Sequence, residues 1–421
     1  MNTMKKIINV YNSTSLIIRI VCGLVIGAVL GLIFPGITVV TILGDLFVGA
    51  LKAVAPVLVF FLVVSSLSRG KEKLDSRFGT VIILYMVSTL LASVTAVAGS
   101  FLFPQTLKFT QSAEAEVVPH GIGEVLSNLL VNMVSNPIGS IVEGRYIGIL
   151  FWATIFGLCL KHIAGDSTKH MLSDFSEAIS KSVRWIINLA PFGIMGLVFT
   201  NVSTNGLSIF TDYGKLLLLL VGCMLFVALV VDPLIAFVVL RRNPYPLILR
   251  CLRESGITAF FTRSSAANIP VNMDLCERLG LDEDMYSVSI PLGATINMDG
   301  AAITIAIMTL AAANTMGVYV DIPTALLLCV LSTLGACGAS GVAGGSLLLI
   351  PMACSLFGIS QDVAMQVVGV GFIIGVVQDS LETALNSSGD VMFAATAEYS
   401  KWIKEGRDLP TFLGGNLKLD I

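Results

Sequence analysis

Eight stretches of the chain are apolar over roughly the length of a bilayer crossing: residues 15–34, 42–68, 79–104, 146–163, 181–202, 214–240, 285–315 and 362–396. A hydrocarbon core about 30 Å thick needs about 20 helical residues to span it, so each stretch predicts a transmembrane helix. Two further stretches, 246–279 and 322–359, are apolar but interrupted by small polar residues. The first is broken by TRSSAANIP from Thr262 to Pro270, the second by ACGASGVAGGS from Ala336 to Ser346. Non-helical backbone at membrane depth is tolerated only against protein or a water-filled cavity. Such breaks therefore predict re-entrant hairpins. The expected fold is an all-α polytopic membrane protein with eight transmembrane helices and two re-entrant helical hairpins.

The last span carries a polar stripe. Asp379, Glu382, Thr383, Asn386 and Asp390 fall 0, 3, 4, 7 and 11 residues from the first, which is one face of a helix. An acidic side chain at mid-bilayer costs about 2.5–3.5 kcal/mol or more. Such groups persist where cations, polar ligands or trapped water compensate them. The seventh span is interrupted in a related way, by Asn297 and Asp299 between Gly293 and Gly300. Unwinding there frees backbone carbonyls. Carbonyls with a carboxylate make a hard oxygen cage suited to an alkali cation; a plain packing notch is the alternative. Asn386 and Asp390, one turn apart, can complete the same cage. Tyr85, Ser88 and Thr89 add hydroxyls in the third span, although hydroxyls bonded within their own helix are common.

Composition agrees with a membrane chain. Of 421 residues, 55% are hydrophobic and only 13% charged, against about 25% charged in soluble domains. A net charge of −3 implies no partner, and nothing points to nucleic acid. The eight cysteines are scattered without metal or disulfide spacing, and the three histidines form no pair. The basic residues before the first apolar run resemble the start of a signal peptide, but the run reads as a retained helix. Lys and Arg concentrate in alternate loops: Lys5 and Lys6, then Arg69 to Arg77, Lys161 and Lys169, Arg241 to Arg253, and Lys401 to Arg407. The positive-inside rule then puts both termini in the cytoplasm. The second half runs hairpin, helix, hairpin, helix, a hint of the inverted repeats that bind substrate at the midplane of transporters. Asp45, Lys52 and Asp232 match no motif; Asp232, next to Pro233, reads as an internally bonded structural group.

Four segments in order carry a resemblance: the TRSSAANIP break, the NMDG sequence at Asn297–Gly300, the GASGVAGGS run from Gly338, and DSLETALNSSGD from Asp379 to Asp390. Together the chain resembles the sodium:dicarboxylate symporter family, with its glutamate-transporter fold, over essentially its whole length. The resemblance implies a homotrimer in a bacterial inner membrane. It implies a scaffold within residues 1–240, with the third helix also serving the transport core. The core would span 241–400 and a cytoplasmic tail 401–421. It implies one sodium site at Asp390 and Asn386 with carbonyls of Gly293 and Asn297. A second would use Asn297, Asp299, Tyr85, Ser88 and Thr89. A third would use the Thr295 carbonyl with Ala336, Cys337 and Ala339. For substrate, it implies Ser265, Gly341, Val342 and Asn386 on an amino acid carboxylate, and Asp379 with Thr383 on the ammonium. No cofactor is expected beyond the sodium ions.

The chain departs from acidic-substrate members at Glu382, where those carry an arginine, and at Ala301, where threonine is usual. Arg263 stands ready to neutralise Asp379 or Glu382. The expectation is sodium symport of small neutral hydroxy amino acids, serine and threonine. A dicarboxylate or glutamate symporter is the same-fold alternative. An intramembrane hydrolase is remote, lacking a GxSxG elbow or a base histidine, and nothing resembles a channel filter.

Overall fold

The computed structural model describes residues 14–68, 76–108, 127, 130–339 and 344–418. Helix α1, Leu16–Ile33, is capped by Ser15. It is followed by α2, Thr38–Ser68, and α3, Ser76–Leu102. After short α4, Pro137–Glu143, come α5, Tyr146–Ile163, α6, Asp166–Asn188, and α7, Ala190–Asn205. Gly23 and Gly27 let α1 lie directly on α7. A Cβ at Gly23 would stand 2.1 Å from the Pro191 carbonyl oxygen, and one at Gly27 2.4 Å from that of Met195. In lipid, where no hydrophobic force joins helices, such small-residue contact gains van der Waals energy.

The expected span 181–202 is not one straight helix. It straddles a 54° bend between α6 and α7. Pro191 has no N–H to continue the ladder, so the helix turns there. Upstream, α6 is amphipathic and buries Ser176, Ser180, Val183 and Ile187 along one stripe. That pattern suits a helix packed along a surface rather than one crossing lipid.

Helix α8, Ser208–Phe226, passes through a π turn at Val227–Val231 into α9, Asp232–Leu240. The first interrupted stretch forms α10, Tyr245–Cys251, a π turn, α11, Ile257–Thr262, and, after a reversal at Arg263, α12, Ser265–Arg278. The NMDG segment divides the seventh stretch into α13, Glu283–Ile296, and α14, Asp299–Thr315. The second interrupted stretch gives α15, Ile322–Ala336, then a 3-10 turn at Ser346–Leu349 leading into α16, Ile350–Ser355. Helix α17, Gln361–Glu405, closes the bundle. It continues past residue 400, and the segment after it folds back, burying Leu409 and Leu413 against the first hairpin.

Among the described residues six helical stretches are long and apolar enough to cross a membrane, and the bent α6–α7 pair would make a seventh. No strand occurs among them. Burial separates two kinds of helix. The apolar windows of α13–α14 and α17 are 94% and 83% buried by protein, against 39% in α2 and 33% in α5. Polar side chains on α14 and α17 are thereby kept from lipid.

Candidate functional site

Asp379, Glu382, Thr383, Asn386 and Asp390 are all buried on α17. Both hairpins and the α13–α14 break close over them. Arg263 Nε donates to Asp379 Oδ2 at 2.6 Å, and the Gly344 backbone N–H donates to Oδ1 at 3.0 Å. One carboxylate therefore receives both hairpins. Arg263 adopts the left-handed conformation at φ 52°, which costs an L residue roughly 1–2 kcal/mol. The buried ion pair holds it there. Ser264 caps α12 by accepting from the Ala267 N–H at 3.2 Å, and Ser265 is buried in the first turn.

One turn along, Glu382 Oε2 accepts from Thr304 Oγ1 at 2.8 Å, Ser346 Oγ at 2.8 Å and Gln378 Nε2 at 2.5 Å. Arg263 thus pairs with Asp379, while Glu382 is held by neutral donors. Thr383 turns its hydroxyl back to the Asp379 carbonyl at 2.7 Å, and Ala301 is fully buried.

At the break, Asn297 and Met298 leave helical geometry before α14 restarts at Asp299. Asn386 Oδ1 accepts from the Gly300 N–H at 2.8 Å, serving the first turn of α14. Asn297 Nδ2 bridges the Asn386 carbonyl at 3.1 Å and Asp390 Oδ1 at 3.0 Å. Asp390 Oδ2 and Asn297 Oδ1 are buried and accept no hydrogen bond. Buried polar atoms are nearly always satisfied, and two orphaned acceptors on bridged side chains fit a hard cation. Gly293 permits the approach: a Cβ there would stand 2.6 Å from Asp390 Oδ1 and 2.8 Å from the Tyr85 hydroxyl. Tyr85 donates to the Asp390 carbonyl at 3.1 Å.

Thr89 donates to Asp299 Oδ1 at 2.8 Å, and Ser88 donates to Oδ2. Of the residues expected to group here, Ser88 and Thr89 contact Asp299, whereas Tyr85 and Asn297 bond to Asp390. The end of α15 meets the break, with Cys337 Sγ 3.6 Å from the Ile296 carbonyl; Ala336 and Ala339 are buried, and the Thr295 hydroxyl donates to Leu292 O at 2.7 Å. Gly341 and Val342 lie outside the described residues.

Sequence reasoning missed two groups. Gln378, Thr304 and Ser346 surround Glu382, although Gln378 sits one turn before it and was findable. Ser255, Asn268, Asn272 and Ser387 form a buried network joining the first hairpin to α17, with Asn272 Nδ2 donating to the Ser387 carbonyl at 3.0 Å and Asn268 Nδ2 to Ser387 Oγ at 2.8 Å. The Asn268/Asn272 pair, one turn apart, was its signal. Asp232, expected to be internally bonded, is buried and accepts from Ser88 Oγ at 3.0 Å; its nearness to Asp299 through Ser88 carries no sequence signal.

A buried polar centre where broken helices and hairpins converge inside an apolar bundle defines a secondary transporter, a multi-pass membrane protein. More narrowly, residues 16–400 match the model of the sodium:dicarboxylate symporter family, and the chain belongs to that family. It is a family of transporters rather than enzymes, so the hydrolase alternative falls away. The chain is 66% identical over 405 residues to the serine/threonine transporter SstT of Bifidobacterium adolescentis, covering 96% of this chain and 94% of that one. It is 60% identical over 403 residues to the protein of the same name from Streptococcus agalactiae, covering 96% and 100%. The Streptococcus thermophilus counterpart is 58% identical over 402 residues, covering 95% and 100%.

Proposed function

We propose that the protein imports serine and threonine by symport with sodium. The observation that carries the coupling ion is the pair of orphaned buried acceptors, Asp390 Oδ2 and Asn297 Oδ1, beside a second carboxylate at Asp299. A dehydrated cation offsets the burial of these groups. The names of the relatives support the substrate. Asp379 takes the substrate ammonium. Its oxygens are engaged by Arg263 and Gly344, so the ammonium displaces one of these donors. The carboxylate is held by hairpin backbone near Ser265, Gly341 and Val342, and by Asn386. Residues 241–400 move as the transport core against a trimeric scaffold, in an elevator-type cycle. The second hairpin is the extracellular lid, both termini are cytoplasmic, and the membrane is the bacterial inner membrane.

Glu382 excludes acidic substrates. Its neutral donors leave its charge uncompensated by Arg263, and like charges about 4 Å apart repel by about 4 kcal/mol at an effective dielectric near 20. This favours the neutral-substrate reading over the dicarboxylate one. Competition against labelled serine on purified protein in sodium tests it. Serine and threonine should compete well, alanine less, and aspartate poorly, and Glu382→Gln should improve aspartate competition at least tenfold. Equal competition by aspartate and serine in the unmodified protein would overturn the assignment.

A further inference from the structure

Ser88 in α3 stands between two buried carboxylates. Its Oγ contacts Asp299 Oδ2 and lies 3.0 Å from Asp232 Oδ1. A serine hydroxyl has one proton and two lone pairs, so it serves one carboxylate at a time. Asp299 has a further donor in Thr89. Among the described residues, Ser88 is the one side-chain donor to Asp232.

The chain brings Asp232 there by a local irregularity. Pro233 has no N–H to return to the Leu229 carbonyl. That carbonyl instead accepts from the Tyr245 hydroxyl at 3.0 Å. The helix accommodates the loss with the π turn at Val227–Val231, directly before Asp232. Single π turns within helices occur frequently at functional sites.

We propose that Asp232 is a positioning residue for the sodium ion held at Asp299. It accepts the hydrogen bond of the Ser88 hydroxyl, so that the Ser88 oxygen turns a lone pair to the ion. This rests on reading Ser88, Thr89, Asn297 and Asp299 as sodium ligands. A hydroxyl that ligates a cation must direct its proton elsewhere. With the ion drawing on Asp299, the Ser88 O–H donates to the other acceptor in reach, Asp232. Outer partners that orient ligands commonly change ion affinity by about 10–100-fold.

The test is sodium binding to the purified protein without substrate, read as radioactive sodium retention and as sodium-dependent thermal stabilisation. Asp232→Leu, which removes the acceptor, should weaken sodium about tenfold. Asp232→Asn keeps a carbonyl oxygen for the Ser88 proton and should stay within about threefold of the unmodified protein. In a Ser88→Ala background, Asp232→Leu should add little further loss. The proposal is overturned if Asn weakens sodium as much as Leu does, because charge alone is then at work. It is equally overturned if Leu costs the same with and without Ser88, or costs nothing. Should the Leu variant not fold, Asp232→Ala, which also removes the acceptor, takes its place in each of these comparisons. Asp299→Asn is the separate control: unchanged sodium binding there would remove the underlying site assignment instead.

Discussion

Asp390 is wholly buried, and one of its carboxylate oxygens accepts no hydrogen bond. Asn297 Nδ2 holds the other at 3.0 Å. Replacing Asp390 by Asn keeps the shape, but its amide puts an N–H donor or a neutral oxygen where the cation needs an anionic one. Sodium dependence should weaken by at least tenfold, while protein abundance changes little. Titrating serine uptake with sodium checks this, and an unshifted half-saturation would remove Asp390 from the site. At this scale the sequence was legible wherever polar residues shared one helix face, as along Asp379 to Asp390. It was illegible wherever partners came from different segments. Thr304 and Ser346 meet Glu382 only because α14 and the second hairpin pack on α17. Asp232 acquires its place only when α9 crosses α3.

At the scale of elements, the hairpin breaks and the NMDG break were legible because small polar residues interrupt apolar runs. The bend at Leu189 was not, since apolar content continues through it and only Pro191 marks it. One clamp between elements went unread. Arg77 Nη1, at the start of α3, donates to Asp282 Oδ2 at 2.7 Å and to Glu398 Oε2 at 3.3 Å. Asp282 caps α13 and Glu398 is a buried residue of α17, so one guanidinium joins three helices. The bond from Arg77 holds the Asp282 carboxyl below its usual range. That contribution is present above the unfolded carboxylate pKa and fades as pH falls through the folded value. Arg77→Met should lower stability at neutral pH by about 3 kcal/mol, chiefly by stranding buried Glu398. Adding Glu398→Gln should restore part of the loss. Melting of detergent-solubilised protein at neutral and acidic pH measures both effects; an unchanged neutral melting temperature would contradict the clamp.

At the scale of the molecule, the division between lipid-facing and protein-buried helices follows from where ionisable residues sit. The sequence's first spans are nearly free of such groups, and α2 and α5 are buried least. Polar residues accumulate in α14 and α17, which neighbouring helices enclose. That arrangement places the candidate cation ligands Asp299 and Asp390 within the same enclosed core, with Asp379 about three turns from Asp390 along one helix. Ion and amino acid would then cross together. The most direct measurement is uptake of labelled serine into proteoliposomes under an imposed sodium gradient or an imposed proton gradient. Accumulation should follow the sodium gradient, vanish when sodium is replaced by choline, and survive a protonophore. Uptake that persists without sodium and collapses with the protonophore would contradict the account.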